Sequence, residues 1–376
     1  MSRNSVLHTP IFSRNFFFGF FVLLFVSALT GCTGGKPEVI LYSDVDRSIV
    51  EPIAQAFERE KKIAVTVTYA TPEDLKDDSG LSRRVRDETS ENKIDLYLAQ
   101  SPLSVQKLTT DEMLENVSNT TTVQVAPAFR EAEMHWVGIR TRVRVLIFRK
   151  KQRLKAKIPL SIAAMTRPEW KGRVAIADPR KLNSSHYHLL TYFVAYGERE
   201  GKEFLTKIHK NEVQLLENDR AVVAAIERGK ADWGIVDSDV AQRAISAGEP
   251  LDFSFPDQKE FSTSDTLDRT RGGNSLPTLG VPALPLPLAL LKNRPHKKEG
   301  RDFVDFFVSP RMSFLLEQKT PELLSTRTTI STAEAGKSGG AITNPQSLKF
   351  AVVSTSEISK INAVFLVSLP LIAGSP

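Results

Sequence analysis

The sequence predicts an α/β protein built on parallel strands, and three observations predict it. First, the apolar run Val39 to Tyr42 leads through Ser43-Asp44-Val45-Asp46 into apolar residues at Ile49, Ile53 and Phe57. Ile63, Val65, Val67 and Tyr69 then alternate with small or polar residues. A run, a 3.6-residue period and a two-residue period in that order read as strand, helix, strand, a unit that makes a parallel sheet needing cover on both faces. Second, the pattern recurs down the chain. Third, the turns after the strands carry Ser, Asp, Asn or Gln, and open α/β sheets bind ligands beyond the carboxyl ends of their strands.

In the first helix, Ser48 and Glu51 have capping-box spacing, Asp46 is a second candidate N-cap, and Pro52 is expected within or near the first turn. Ile94 to Leu98 reads as a strand closed by Ala99-Gln100-Ser101-Pro102. Val137 to Phe148 alternates, with Arg140, Arg142 and Arg144 on one face and Val143, Val145 and Ile147 on the other. Val174 to Ala177 is a strand, and Asn183-Ser184-Ser185 opens a helix. Asp219 is placed to cap the helix carrying Val222, Val223 and Ile226. Gly234-Ile235-Val236 runs into Asp237-Ser238-Asp239 and another helix. Pro282 to Leu291 is apolar and broken by prolines. Phe303, Val304, Phe306 and Phe307 mark a late amphipathic helix. From about Ser325 the character changes, and 326–376 is expected to be a low-complexity, disordered tail in which Ile361 to Ile372 is a short apolar run interrupted by Pro370.

Composition excludes several roles. The 376 residues are 41% hydrophobic and 25% charged, with 50 bases against 44 acids. That is ordinary globular balance with material for two cores, and the excess of +6 does not suggest nucleic-acid binding. One cysteine, Cys32, excludes an intrachain disulfide or a cysteine-cluster metal site. Arg3 and Arg14 precede an apolar run from Phe16 to Leu29, too short for a comfortable span, and Leu29-Thr30-Gly31-Cys32 follows. The order resembles a bacterial lipobox, in which the cysteine is acylated and becomes the first residue. The competing reading is an uncleaved amino-terminal anchor. Under the first, 1–31 is a lipoprotein signal peptide, 32–37 a lipidated tether, and the globule lies on the periplasmic or cell-surface side of a membrane.

The polar turns admit two readings each. Ser43, Asp44 and Asp46 either face a ligand crevice or simply cap their helix. Ser184 and Ser185 offer hydroxyls and free amides to an anion, or cap. Arg140 and Arg142 suit a carboxylate or phosphate, which arginine grips bidentately, whereas Arg144 is expected to pair with a neighbouring carboxylate. His186 and His188 are two apart on a helix and do not face each other, so packing suits them better than metal ligation; His135 is also expected to be structural. The basic run at 149–153 has no interleaved aromatics and reads as solvated surface. No His-Glu-x-x-His or Walker loop is present, so an exported hydrolase is disfavoured and no catalytic residue is assigned.

An ordered set of stretches resembles the periplasmic ferric-iron-binding proteins, type 2 solute receptors of ABC importers. These are Val39 to Ser43, Ala56-Phe57-Glu58, Trp136 with the Arg142/Arg144 strand, Pro168 to Arg173, Gly234 to Asp239, and Phe303 to Pro310. The resemblance implies a two-lobed α/β fold, mixed sheets with flanking helices and a ligand cleft between lobes. It divides the chain into 38–138 plus 250–292, and 139–249 plus 293–325. Iron-binding members use a His, a Glu and two Tyr; here those positions hold Asp46, Gln100 and the neighbourhood of Asp239, and no tyrosine falls in the last loop. The implied ligand set is therefore Ser43, Asp44, Asp46, Gln100, Ser101, Arg140, Arg142, Asn183, Ser184, Ser185, Asp237, Ser238 and Asp239, with Asp46 and Asp239 as metal ligands if ferric iron is the cargo. The implied partners are an ABC permease and its ATPase, reached by a lipid-anchored monomer. A receptor for a small organic or phosphorylated anion, and an exported sensor, remain the alternatives.

Overall fold

The computed structural model describes residues 37–71, 83–87, 91, 93–154, 158–181, 183–258, 279–327, 348–351 and 355–374. The leader, Cys32 and most of the tether lie outside them. Among the described residues one sheet of ten strands runs in the order β2-β1-β3-β9-β4-β7-β5-β6, with β8 added to β4 and β10 to β9. β1 (Glu38–Ser43) lies parallel between β2 (Ala64–Tyr69) and β3 (Leu96–Leu98). β5 (Val174–Ala177) lies parallel between β6 (Gln214–Leu216) and β7 (Trp233–Asp237). Two long antiparallel strands, β4 (Trp136–Arg149) and β9 (Val281–Leu290), join these parallel halves.

The first helix, α1 (Arg47–Lys61), starts at an Asp46 cap, not at the Ser48/Glu51 box, so Pro52 stands beyond the first turn. Its buried face, Ile49, Val50, Ile53 and Phe57, meets Phe303, Phe306 and Phe307 of α7 (Lys297–Phe307), with Phe57 ring centroids 4.8–6.3 Å from theirs. α2 (Pro102–Thr110) follows β3. In the second half, α3 (Ser184–Tyr196) and α4 (Glu198–Lys210) follow β5, α5 (Asp219–Glu227) follows β6, and α6 (Ser238–Ser246) follows β7.

Two boundaries of the sequence reading are corrected. β8 (Leu251–Ser254) pairs with 146–149 at the far end of β4 and so belongs with the second half. α7 and α8 (Pro310–Lys319) pack on β1, β9 and α1, so 297–319 belongs with the first. The reason is connectivity: the chain returns across the sheet at β9, and elements after that crossing cover the half it returns to.

The proline-broken stretch is a continuous strand. Pro287 O accepts from Ala99 N, so the edge carrying the amides of residues 285 and 287 faces β3. β3 pairs only with 288–290, and no ladder donor is lost at Pro285 or Pro287. Opposite them β4 has a bulge between Gly138 and Thr141. A Cβ on Gly138 would stand 2.6 Å from Pro285 Cβ and 2.7 Å from Phe129 O, so only glycine permits this approach.

The tail reading is also corrected. Thr326 and Arg327 still belong to the globule, where Ala126 N donates to Thr326 O and Arg327 bridges Val125. β10 (Phe350–Ala351) extends β9, and α9 (Thr355–Ser368) with a 3-10 turn (Leu369–Ala373) packs on α3 and α4. Ile358, Phe365, Leu369 and Ile372 are buried there, Phe365 lying 4.9 Å from the His186 ring and 5.0 Å from that of Phe193. The remainder of 328–354 falls outside the described residues. We predict that Phe365→Ala lowers unfolding free energy by about 3–5 kcal/mol in urea titration, whereas Val367→Ala, at a position 80% exposed, changes it by less than about 0.5 kcal/mol. Equal effects would show that α9 is not part of the core.

Candidate functional site

The polar turns meet where β4 crosses the sheet. Ser43, at the end of β1, is fully buried; its hydroxyl donates to Leu98 O at 2.8 Å and accepts from Val45 N. Asp44 accepts from Gln100 N at 2.7 Å and from Ser104 Oγ at 3.2 Å, with the Tyr97 hydroxyl beside it. Burial outweighs these bonds and pushes its carboxyl up to about 6. Asp46 is exposed and caps α1, its Oδ1 accepting from Ser48 N at 2.9 Å and Ser48 Oγ at 2.7 Å. Those bonds, with the fields of Arg243 and Arg220, lower its pKa. Ser101 caps α2 through Leu103 N.

At the crossing lies a buried ionic cluster. Arg144 is 0% exposed; its Nη1 donates at 2.7 Å to both Asp219 and Asp237, and its Nη2 donates to Ser185 Oγ and Ile235 O at 3.0 Å. Burial opposes its charge, but the two carboxylates outweigh it and raise its pKa. Asp237 also accepts from Ser184 Oγ at 2.6 Å and faces Arg142 Nε at 3.3 Å. Burial alone would raise Asp237; Arg144, Arg142 and Ser184 more than offset it and hold the carboxyl below its ordinary value. Arg142 Nη2 reaches back to Gln100 O at 2.6 Å, tying the β3 turn of the first half to Asp237 of the second. Asn183 caps α3 through Ser185 N and His186 N, so Ser184 and Ser185 serve the cluster while their helix is capped.

Asp219, read from the sequence as a cap, is a member of the cluster. Asn218 caps α5 instead, and Asp219 accepts from Asp237 N at 2.7 Å as well as from Arg144. Its signal was available: an acid at a strand-end turn, like Asp237. Arg140 does not join its neighbours. At the bulge Thr141 N donates to Leu324 O and Thr141 O accepts from Leu324 N, so the 320–324 segment covers the strand there. Arg140 turns to that segment, donating to Thr320 O and Leu323 O, and leaves the anion-facing set.

Ser238 is fully buried, its hydroxyl accepting from Val143 N at 3.2 Å. Asp239 is 3% exposed; Oδ2 accepts from Arg243 Nη2 at 2.9 Å, and Oδ1 is buried with no hydrogen-bond partner. Among the described residues no three His, Cys, Asp or Glu are grouped to hold a metal ion. The histidines pack: His186 Nδ1 bonds Pro179 O at 2.9 Å, and burial next to Arg144 pushes His188 down to about 3, so it is neutral. His135 meets Glu131 at 3.1 Å. In the basic run, Lys150 and Lys151 are exposed, while Arg149 is half-buried and bonds Ala231 O and Asp232.

A long crossing strand pair with polar strand-end turns gathered at one ionic centre is the frame of a cleft receptor, and residues 40–319 match the bacterial extracellular solute-binding protein family. The chain belongs to that family. Among known sequences it is similar to the Fe(3+)-binding periplasmic protein of Serratia marcescens, 23% identical over 202 residues. That match covers 53% of this chain and spans only about half, 56%, of the Serratia protein. It is also similar to the major ferric iron-binding protein of Neisseria meningitidis serogroup B, 22% identical over 76% of this chain and 80% of that one. Among solved structures, iron-bound HitA of Pseudomonas aeruginosa superposes with TM-score 0.68 at 18% identity, covering 89% of this chain and 99% of that one. AfuA of Actinobacillus pleuropneumoniae, with fructose 6-phosphate bound, superposes with TM-score 0.66 at 16% identity, covering 90% and 100%. The family fold is two-lobed, and the two parallel half-sheets are its lobes.

The Asp44 carboxyl generates a pH prediction. Its folded pKa, near 6, lies above the unfolded value of 3.8, so the fold binds that proton more tightly. Its contribution to stability is therefore fully present below the unfolded value and is lost as pH rises through about 6. Asp44→Asn should remove a loss of up to about 3 kcal/mol between pH 4 and pH 7, measured as a flatter pH profile of the urea midpoint. An unchanged profile would place the titration elsewhere.

Proposed function

We propose that this chain is the solute receptor of an ABC-type importer, that it captures ferric iron together with a small oxygen-donor anion between its lobes, and that it delivers this cargo to a membrane permease and ATPase. Cys32 tethers it by lipid as a monomer on the periplasmic or cell-surface side. It catalyses nothing and meets no nucleic acid. The relatives named for ferric iron support the cargo, and one observation in this chain carries it: the buried, unpartnered Oδ1 of Asp239 at the second-lobe strand end. A carboxylate oxygen held away from water without a donor is costly unless something fills it. A hard cation prefers such oxygen, and Asp46 of the first lobe supplies a second carboxylate whose charge is felt by Arg243 of the second.

The anion reading has lost most of its donors. Arg140 faces the 320–324 segment, and both terminal nitrogens of Arg144 are engaged by two carboxylates, a serine and a carbonyl. Arg142 keeps Nη1, which serves the accompanying anion of an iron complex better than it serves an anion alone. Calorimetric titration with ferric citrate, inorganic phosphate and fructose 6-phosphate separates the readings. Ferric binding that Asp239→Ala abolishes is expected. Binding of phosphate or fructose 6-phosphate that survives Asp239→Ala and fails with Arg142→Ala would replace it. The anchor is tested separately: Cys32→Ser should leave unprocessed precursor, and a fully processed, membrane-partitioned variant would refute lipidation at that residue.

A further inference from the structure

The ion pair that Asp239 already makes has a consequence for cargo. Its partner, Arg243, stands one helical turn along α6, and the Arg243 side chain is 46% exposed whereas that of Asp239 is 5% exposed. Arg243 Nη1 lies 3.6 Å from Glu322 Oε1. Glu322 follows α8 and belongs to the first lobe, so one guanidinium touches a carboxylate from each side of the cleft. Asp46, also of the first lobe, lies within the field of the same guanidinium. Arg243 therefore has three acidic neighbours and a solvent-exposed stem, and it can exchange one carboxylate for another without leaving negative surroundings.

We propose that Arg243 is a resident counter-cation of the cleft: it neutralises Asp239 while the cleft is empty, and cargo that coordinates Asp239 displaces it toward Glu322 and Asp46. The inference rests on the cation reading of the same site. Asp239 has one oxygen free and one held by Arg243. A trivalent ion at the free oxygen meets a like charge across one carboxylate, and like charges at that separation repel strongly in a partly desolvated site. Moving Arg243 away from Asp239 relieves the repulsion and tightens the contact it already makes with Glu322. Cargo entry and lobe closure are thereby coupled through one side chain, which also sets a threshold: monovalent and weakly held divalent ions repel Arg243 too little to displace it.

The test uses the full chain in detergent and three variants, with ferric citrate as probe and binding followed calorimetrically. Arg243→Gln should bind ferric citrate at least tenfold more tightly than the parent and should discriminate less against divalent cations. Its urea midpoint in the absence of iron should fall, and Asp239→Asn in the same chain should restore it. Arg243→Lys, which keeps the charge, should behave as the parent. A merely structural arginine would lower stability without raising affinity, so opposite signs in the two measurements are the signature. If the parent binds ferric citrate and Arg243→Gln binds it equally or more weakly, the counter-cation role is wrong and the cation reading stands. If the parent binds no ferric citrate, both fall. If it binds fructose 6-phosphate and Arg243→Gln abolishes that, the arginine holds cargo instead of competing with it.

Discussion

A guanidinium with no exposed surface in the middle of a ten-stranded sheet must find every charge and hydrogen bond it needs from protein. Arg144 finds all but one, that of Nε, in Asp219, Asp237, Ser185 and the Ile235 carbonyl. That demand explains several otherwise separate features. It fixes the register in which Arg144 stands opposite Asp237. It explains why the turn after β6 carries Asp219 and why the helix after β5 begins with two serines. Removing one partner from such a buried group is costly, about 3–5 kcal/mol, because the remaining charge is left without water. The second lobe is therefore organised around the crossing strand, and β5, β6 and β7 each deliver at least one polar turn to the same point.

The cluster also decides what the cleft has left to offer. Two arginines and two aspartates cancel in charge, and Ser184, Ser185 and most donors of Arg144 are consumed internally. The residues that looked most like a ligand set are thus mainly the frame that holds a smaller one. Asp239 with its free oxygen, Arg243, Asp46 and the open edge of Arg142 remain at the boundary between frame and solvent. The first lobe shows the same economy: Ser43 and Asp44 fasten the turns after β1 and β3 to each other, Ser101 caps α2, and Asp46 and Gln100 are exposed.

The strand-helix-strand units, the alternation of β4 and the capping of α1 and α3 were legible because each depends on near neighbours in sequence. The pairing of Arg144 was legible as chemistry, since an arginine in an apolar strand must meet a carboxylate, but which carboxylate depends on strand register. The alternation expected over Val137 to Phe148 does not hold at Arg140, because a bulge between Gly138 and Thr141 breaks it. The carboxyl-terminal helix was missed although Ile358, Ile361, Phe365, Leu369 and Ile372 recur at helical spacing; the low-complexity stretch before it and Pro370 within it masked the period. Pro370 lies in the first turn of the closing 3-10 segment, where its missing amide is harmless. The lobe boundaries could not be read locally at all, because they follow from where the chain recrosses the sheet.

The two crossing strands differ in how they meet the demand for backbone pairing, and the difference falls at one level of the sheet. On β4, the bulge at 138–141 interrupts the register and gives Thr141 to Leu324. On β9, Pro285 and Pro287 lie opposite Thr141 and Gly138, with their amide-less edge toward β3 and not toward β4. The bulge interrupts the direct ladder between the crossing strands, and beside it Arg140 is anchored on the Thr320 and Leu323 carbonyls. Just beyond, Arg142 links Gln100 O of one lobe to Asp237 of the other. The lobes are therefore joined by a backbone ladder with one bulge and by side chains of one strand. That combination resists separation yet permits a change of angle at lower cost than an uninterrupted ladder would, because side-chain bonds tolerate rotation that paired backbone does not.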